Sequence, residues 1–257
     1  MYIRSEEDIF FLRENALLVS QTLAEISKRI KPGVTTKKLD LIAEEFIRDH
    51  GAEPGFKGYG GFPSTLCTSV NSQVVHGIPS DYYLRDGDII SVDCGTKYKG
   101  FYGDSAYTFG VGEISPLKNK LLTVTKESLF IGIEKAFAGN RTGDIGSAIQ
   151  KFVEGNGFSV VRELVGHGLG KSLHERPEVP NYGRIGRGNK LKDGAVICIE
   201  PMINAGSRSI VIEKDGWTVS TVDKEPSAHF ELTVLIRPEK CEILSTFDFI
   251  EQTLNIN

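Results

Sequence analysis

The chain repeats its own pattern. Adding 106 to the numbers of Gly33, Thr36, Leu39, Ala43, Ile47 and Gly51 lands on Gly139, Thr142, Ile145, Ile149, Val153 and Gly157, the same kinds of residue in the same order. Adding 107 carries LRDGDIISVD (84–93) onto LKDGAVICIE (191–200), which sets Asp93 on Glu200. Two halves written to one pattern must bury their apolar faces against each other, so the repeat restricts the chain to an architecture with an approximate twofold axis. The halves are expected at about 5–110 and 111–244, with a tail over 245–257.

Periodicity fills in the elements. Ser5 with Asp8 three residues on is a capping box, and Ile9, Leu12, Ala16, Val19, Leu23, Ile26 and Ile30 then form one apolar stripe that stops at Lys31-Pro32-Gly33. A second helix is expected over 36–50, with His50 as its last residue and Gly51 as its stop. Strands follow over 66–71, 73–75, 88–94 and 101–109. Helical spacing returns over 116–137 and 142–156. Strand-like runs return over 158–164, 195–200, 209–213, 217–221 and 230–236. The order predicts an α+β fold of two pseudo-twofold related halves, with helices on one face of a mostly antiparallel sheet.

Charge and composition exclude several classes. Thirty Lys and Arg against 34 Asp and Glu, spread without runs, offer no electrostatic footprint for nucleic acid, so none is expected as a partner. Apolar stretches are broken by charge too soon for a membrane span, and the start, MYIRSEEDIF, lacks the pattern of a secretory signal. Cys67, Cys94, Cys198 and Cys241 have no CxxC spacing and read as reduced thiols of a cytoplasmic protein.

Four acids sit in the wrong places for surface residues. Asp93 ends the apolar run IISVD, and Asp104 lies in the strand-like run 101–109. If the hairpin turns at Tyr98-Lys99, the two are direct cross-strand partners with Cβ atoms about 5 Å apart. An irregular turn would instead release one of them to solvent. Glu200 in ICIEP and Glu231 in HFELTVLI repeat the oddity around the turn signal Asp215-Gly216, and they too face each other if the flanking loops balance. The alternative for these glutamates is half-burial against Lys or Arg. Opposed carboxylates need a shared proton or a cation, and four exceed what one proton neutralises. His167, set among glycines in VGHGLG, adds an imidazole, and VHG around His76 repeats the theme. Taken alone, either histidine reads as a turn residue. One His with four carboxylates suits two divalent ions such as Mn, Fe, Co or Zn, the equipment of metal-assisted hydrolysis.

SVDCG with FYGDSAYTF, GHGLGKSLHE, ICIEPM and HFELTV, in this order, resemble the ligand motifs of the methionine aminopeptidases of the creatinase-like, pita-bread fold, over roughly residues 5 to 244. The resemblance implies that Asp93, Asp104, His167, Glu200 and Glu231 bind two metal ions, Asp104 and Glu231 bridging, with Glu200 as general base. It implies that His76 and His174 hydrogen-bond the substrate amide and the oxyanion. It also implies that Tyr59, Phe62, Cys67 and Trp217 line the methionine pocket, with His76 at its edge; Trp217 and Cys67 also read as packing residues. Prolidases and proline aminopeptidases share the ligands but usually carry a further N-terminal domain, and type II enzymes carry a long insertion between His167 and Glu200. The resemblance is therefore to type I in its bacterial form. It implies one catalytic domain over 1–257, a cytoplasmic monomer that removes the initiator methionine of nascent polypeptides with small second residues, and contact with the ribosome.

Three positions depart from the family pattern. Phe62 stands where tyrosine is common and Leu173 where an aromatic is frequent, so a looser pocket is expected. Leu232 follows Glu231 where histidine is frequent, removing a supporting hydrogen bond. His229 reads as a solvent-facing strand residue, with compensation for that bond as the alternative. Two competing functions remain: cleavage of X-Pro bonds, and an idle binding module of the same fold.

Overall fold

In the computed structural model, which describes residues 3–255, the Ser5 hydroxyl accepts from Asp8 N–H at 3.1 Å and the Asp8 carboxylate accepts from Ser5 N–H at 3.4 Å. On this capping box begins α1 (Glu6–Ser27), whose stripe Ile9, Leu12, Ala16, Val19, Leu23 and Ile26 is buried. The helix ends before Ile30, which packs half-buried on the core from the following turn. The proline at 32 disfavours helical geometry at Lys31, so the stripe outlasts the helix. Next comes α2 (Thr36–Asp49), then β1 (Glu53–Pro54), a 3₁₀ turn at Tyr59–Gly61, β2 (Leu66–Val70), β3 (Gln73–Val75), β4 (Ile89–Tyr98) and β5 (Phe101–Gly110). The second half opens with α3 (Pro116–Ile133), α4 (Thr142–Gly155), β6 (Ser159–Val160), β7 (Gly166–Gly168) and β8 (Glu175–Val179). It continues with β9 (Val196–Ile199), β10 (Met202–Asn204), β11 (Ile210–Ile212), β12 (Val219–Thr221), β13 (Ser227–His229), β14 (Leu232–Leu235) and β15 (Glu242–Ile243). A last helix, α5 (Asp248–Leu254), packs on α1 with Phe247 and Ile250 buried, so the tail is part of the packed structure.

The repeat survives in three dimensions. Leu39, Ala43 and Ile47 of α2 and their equivalents Ile145, Ile149 and Val153 of α4 are all fully buried in one core cluster. Gly51 (φ 72°) and Gly157 (φ 86°) close the two helices in the left-handed region that favours glycine. All strand pairings are antiparallel. β1, β2 and β5 border β4 in the first half, and β15-β14-β9-β7-β8 forms the main sheet of the second. With the core helices, this is the expected α+β pita-bread architecture.

Two strand contacts are among those that stitch the halves together. β3 of the first half pairs with β12 of the second, Val75 opposite Val219. β5 meets the β13–β14 segment through a bridge in which Glu231 N–H donates to Ala106 O at 2.9 Å, and the Ser105 hydroxyl donates to Glu231 O at 2.7 Å.

The hairpin registers decide where the acids fall. Lys99 (φ 53°) and Gly100 (φ 82°) both take positive φ and form the two-residue turn between β4 and β5, so Tyr98 pairs with Phe101. The expected turn at Tyr98-Lys99 is therefore corrected: Asp93 lies opposite Ala106 and Asp104 opposite Gly95. Because the register moves by two residues, both aspartates keep the same face and become diagonal neighbours. In the second half the expected register holds. Ile199 faces Leu232, Met202 faces His229 and Ile210 faces Thr221, which brackets Glu200 and Glu231 between two ladders. Pro201, with no N–H to give, interrupts the strand there.

Candidate metal centre

β4 and β5 present Asp93 and Asp104, the break between β9 and β10 presents Glu200, the residue before β14 presents Glu231, and β7 presents His167. An added Cβ at Gly166 would lie 2.4 Å from Cys198 O, so only glycine lets β7 close on β9 and bring His167 to the acids. Asp104 and Glu231 are 3% and 2% exposed, while Asp93 and Glu200 are half-buried.

The electrostatics of this cluster are lopsided. Asp93 Oδ1, Asp104 Oδ1 and Glu231 Oε1 are buried without a hydrogen-bond partner. Burial, opposed in part by His229, pushes the Asp93 carboxyl up to about 6. Burial and the neighbouring carboxylates push Asp104, Glu200 and Glu231 well above the usual range. Burial lowers His167 to about 3, so its ring is neutral. Its Nδ1 lies 3.0 Å from Gly168 O; a carbonyl only accepts, so Nδ1 carries the proton and Nε2 is a bare lone pair. That lone pair faces Glu200 Oε1 at 3.5 Å and Asp104 Oδ2 at 3.7 Å, beyond hydrogen-bond range. Once the four carboxyls are ionised, these five groups are all acceptors. Such a donor set fits divalent cations, with oxygen ligands and one imidazole, and the Nδ1–carbonyl bond fixes the tautomer a ligating histidine needs.

All the remaining sequence-predicted residues line the same cavity of about 660 Å³. His76 follows β3 at φ 58°, and the next residue must be glycine, because a Cβ on Gly77 would lie 2.2 Å from Thr68 O. Burial drops His76 to about 4. His174 lies at the exposed rim with its Nδ1 3.1 Å from the Tyr59 hydroxyl, and its ring meets His167 edge-on at 4.4 Å. Phe62 and Trp217 meet edge-to-face at 5.2 Å, Cys67 lies buried opposite Asp93 in the β2–β4 ladder, and Leu173 is buried in the wall.

Four further residues escaped the sequence reading. Phe56 and Met202 add apolar wall to the cavity. Cys198 is buried two residues before Glu200, on the same strand face; its thiol bonds Glu231, its Sγ lies 3.5 Å from the Thr233 hydroxyl, and burial keeps it protonated. Strand alternation could have flagged it. Asn181 Nδ2 donates to Glu200 O at 2.9 Å from a loop with no periodic signal. The expectation for His229 is overturned: it is 2% exposed and points into the centre, because β13 is held between β5 and β10 rather than lying at a surface.

A family model described as metallopeptidase family M24 matches residues 11–238. The chain is 54% identical over 243 residues to the methionine aminopeptidase of Clostridium perfringens (strain 13 / Type A), covering 95% of this chain and 98% of that protein. It is 50% identical over 242 residues to methionine aminopeptidase 1 of Bacillus subtilis (strain 168), covering 94% and 98%. Among solved structures, the methionine aminopeptidase of Rickettsia prowazekii superposes with a TM-score of 0.94 at 41% identity, covering 96% of this chain and all of that one.

Proposed function

The chain belongs to metallopeptidase family M24, on its type I methionine aminopeptidase branch, and is a metal-dependent hydrolase that removes N-terminal methionine from polypeptides; on that premise we propose how its residues divide the work. The readings as an X-Pro peptidase and as an idle binding module fall away with that membership. Asp93, Asp104, His167, Glu200 and Glu231 would hold two divalent ions, Mn, Fe, Co or Zn. Bound there, the ions supply Lewis acidity toward the scissile carbonyl and make an attacking water more acidic at neutral pH.

The chain's own groups do the rest. Glu200 takes the proton of the attacking water and returns it to the leaving amine. His76 and His174, kept neutral by burial, each retain one ring N–H to give to the substrate carbonyl as its oxygen gains charge. Phe62, Trp217, Tyr59 and Cys67 enclose the methionine side chain, which gains from leaving water for an aromatic wall. The two histidines crowd the next residue, which favours glycine, alanine or serine there. In this reading the whole chain is one catalytic domain, working as a cytoplasmic monomer on nascent polypeptides near the ribosome.

The observation that carries the assignment of residues is the convergence of four carboxyls and one imidazole lone pair, all of them acceptors once the carboxyls are ionised. The test is release of methionine from a Met-Ala-Ser peptide by metal-stripped protein, with and without added Mn, Co or Fe, beside Glu200→Gln. Metal-dependent release that is lost in the variant is expected. A Glu200→Gln protein with wild-type turnover would remove Glu200 from the role of base.

A further inference from the structure

His229 is buried at 2% exposure, and neither ring nitrogen has a hydrogen-bond partner. Polar atoms so deeply buried are almost always paired, so two orphans on one ring call for a physical account. The ring is not loosely placed. Thr108 Oγ1 accepts from His229 N–H at 3.0 Å and donates to His229 O at 2.7 Å, so one hydroxyl of β5 clamps both backbone groups of the residue. Ser91 lies 2.9 Å behind that hydroxyl, and His229 faces Met202 across the β10–β13 ladder. The imidazole is thus presented from a rigid seam between the halves, and its Nε2 lies 3.6 Å from Glu200 Oε2.

Glu200 is held on both sides. Oε1 faces His167 Nε2 at 3.5 Å and Oε2 faces His229 Nε2 at 3.6 Å, while Asn181 fixes its backbone carbonyl. His167 cannot donate to Glu200, since its proton is on Nδ1. His229 can, because neither of its ring nitrogens is engaged in another hydrogen bond. We propose that His229 is a positioning residue for Glu200: its Nε2–H donates to Oε2, which leaves Oε1 turned toward His167 and the metal side. The gap to a good N–H···O bond is about 0.7 Å, within the play of a carboxylate about its last torsion, and such bonds tighten when an active site fills. The inference rests on the reading of Glu200 as metal ligand and general base.

The experiment compares H229Q, H229N and H229L with wild type and with E200Q, all as full-length protein. Glutamine can bring an amide N–H to Oε2, whereas asparagine is one methylene too short and leucine has no donor. Four quantities are read: kcat and KM on a Met-Ala-Ser peptide, Co(II) affinity by titration of metal-stripped protein, and the count of hyperfine-shifted imidazole N–H signals in the Co(II)-loaded form. H229N and H229L should each lose about 10–100-fold in kcat or Co(II) affinity with KM within about twofold, the usual cost of removing a group that orients a ligand. H229Q should recover most of that loss, and all variants should keep the wild-type count of shifted imidazole signals. Wild-type kcat and affinity in H229N overturn the proposal, as does H229Q no better than H229N. Loss of a shifted imidazole signal in every variant would make His229 a ligand rather than a positioning residue and also overturn it. An active E200Q would show instead that the reading of Glu200 fails, a result distinct from any outcome at position 229.

Discussion

Removing the cations should leave the buried carboxyls with a contribution to stability that falls as pH rises, opposite in sign to ordinary acid denaturation. The reason is the Asp93 carboxyl, which burial raises from 3.8 to about 6 in the folded chain. Between those values the metal-free folded state binds more protons than the unfolded state, so its stability is full below the unfolded value and is lost as pH climbs through the folded one. For a single group with these two values, the loss between pH 5 and pH 8 is on the order of 1 kcal/mol. Asp104, Glu200 and Glu231 shift in the same direction and extend the window upward. Acids held below their usual range, Glu25, Glu44, Asp215 and Asp223, give the opposite slope at lower pH, and His76, His167, His174 and His229, lowered by burial, give it through the same window; both sets largely cancel in a comparison with Asp93→Asn. The assay is urea unfolding of metal-stripped wild type and Asp93→Asn at pH 5 and pH 8. Wild type should lose more stability than the variant over that interval, by on the order of 1 kcal/mol. Free Mn or Co at 100 times its dissociation constant should restore about 2.7 kcal/mol at pH 8. Equal pH dependence in the two proteins would refute the buried, cation-demanding cluster.

Gly77→Ala puts a Cβ 2.2 Å from Thr68 O, a backbone atom that cannot step aside, so urea melts should show a loss of about 1–3 kcal/mol. The same strain displaces the neighbouring His76, so kcat on Met-Ala-Ser should fall even where the protein remains fully folded. Trp217→Ala removes one face of the Phe62–Trp217 pair, and KM for Met-first peptides should rise about tenfold or more while kcat changes less, as expected of a pocket residue that binds ground and transition states alike.

How much of this was legible depends on whether a signal is local. Helix starts and stops follow from residues within four positions of each other, so α2, expected over 36–50, is off by one residue at its end. The strand expected over 158–164 shrinks to Ser159–Val160, because pairing with β10 is set by a partner some forty residues away. β8 was missed although its burial alternates, since the sequence ERPEV is polar and carries a proline in the middle. β10 and β13, at three residues each, are too short for a period to show. The site residues predicted from acids and motifs all reach one cavity, because a carboxylate in an apolar run is an anomaly visible in one dimension. His229 is the contrary case. Its neighbours SAHF read as an outward strand face, and only the Thr108 clamp from the other half turns that face inward.

The same contrast explains why the two acid pairs differ within one repeat. The first-half hairpin closes on Lys99-Gly100, a turn so tight that the register has no freedom, and its twist sets Asp93 and Asp104 diagonally on a continuous ladder. The second-half pair comes together from strands thirty residues apart, with Pro201 opening the ladder where Glu200 and Glu231 stand. Freed from the ladder, these side chains need the extra methylene of glutamate to reach the aspartates across the seam. Duplication thus supplies an acid at the end of an apolar strand in each half, and the halves diverge only in how rigidly the backbone aims it. On this reasoning the rigid aspartates would fix where a bound cation sits, and the glutamates would adjust to it. Replacing Glu231 by Asp should then cost more metal affinity than activity per bound metal, whereas Asp93→Glu, with no room on a closed ladder, should cost both.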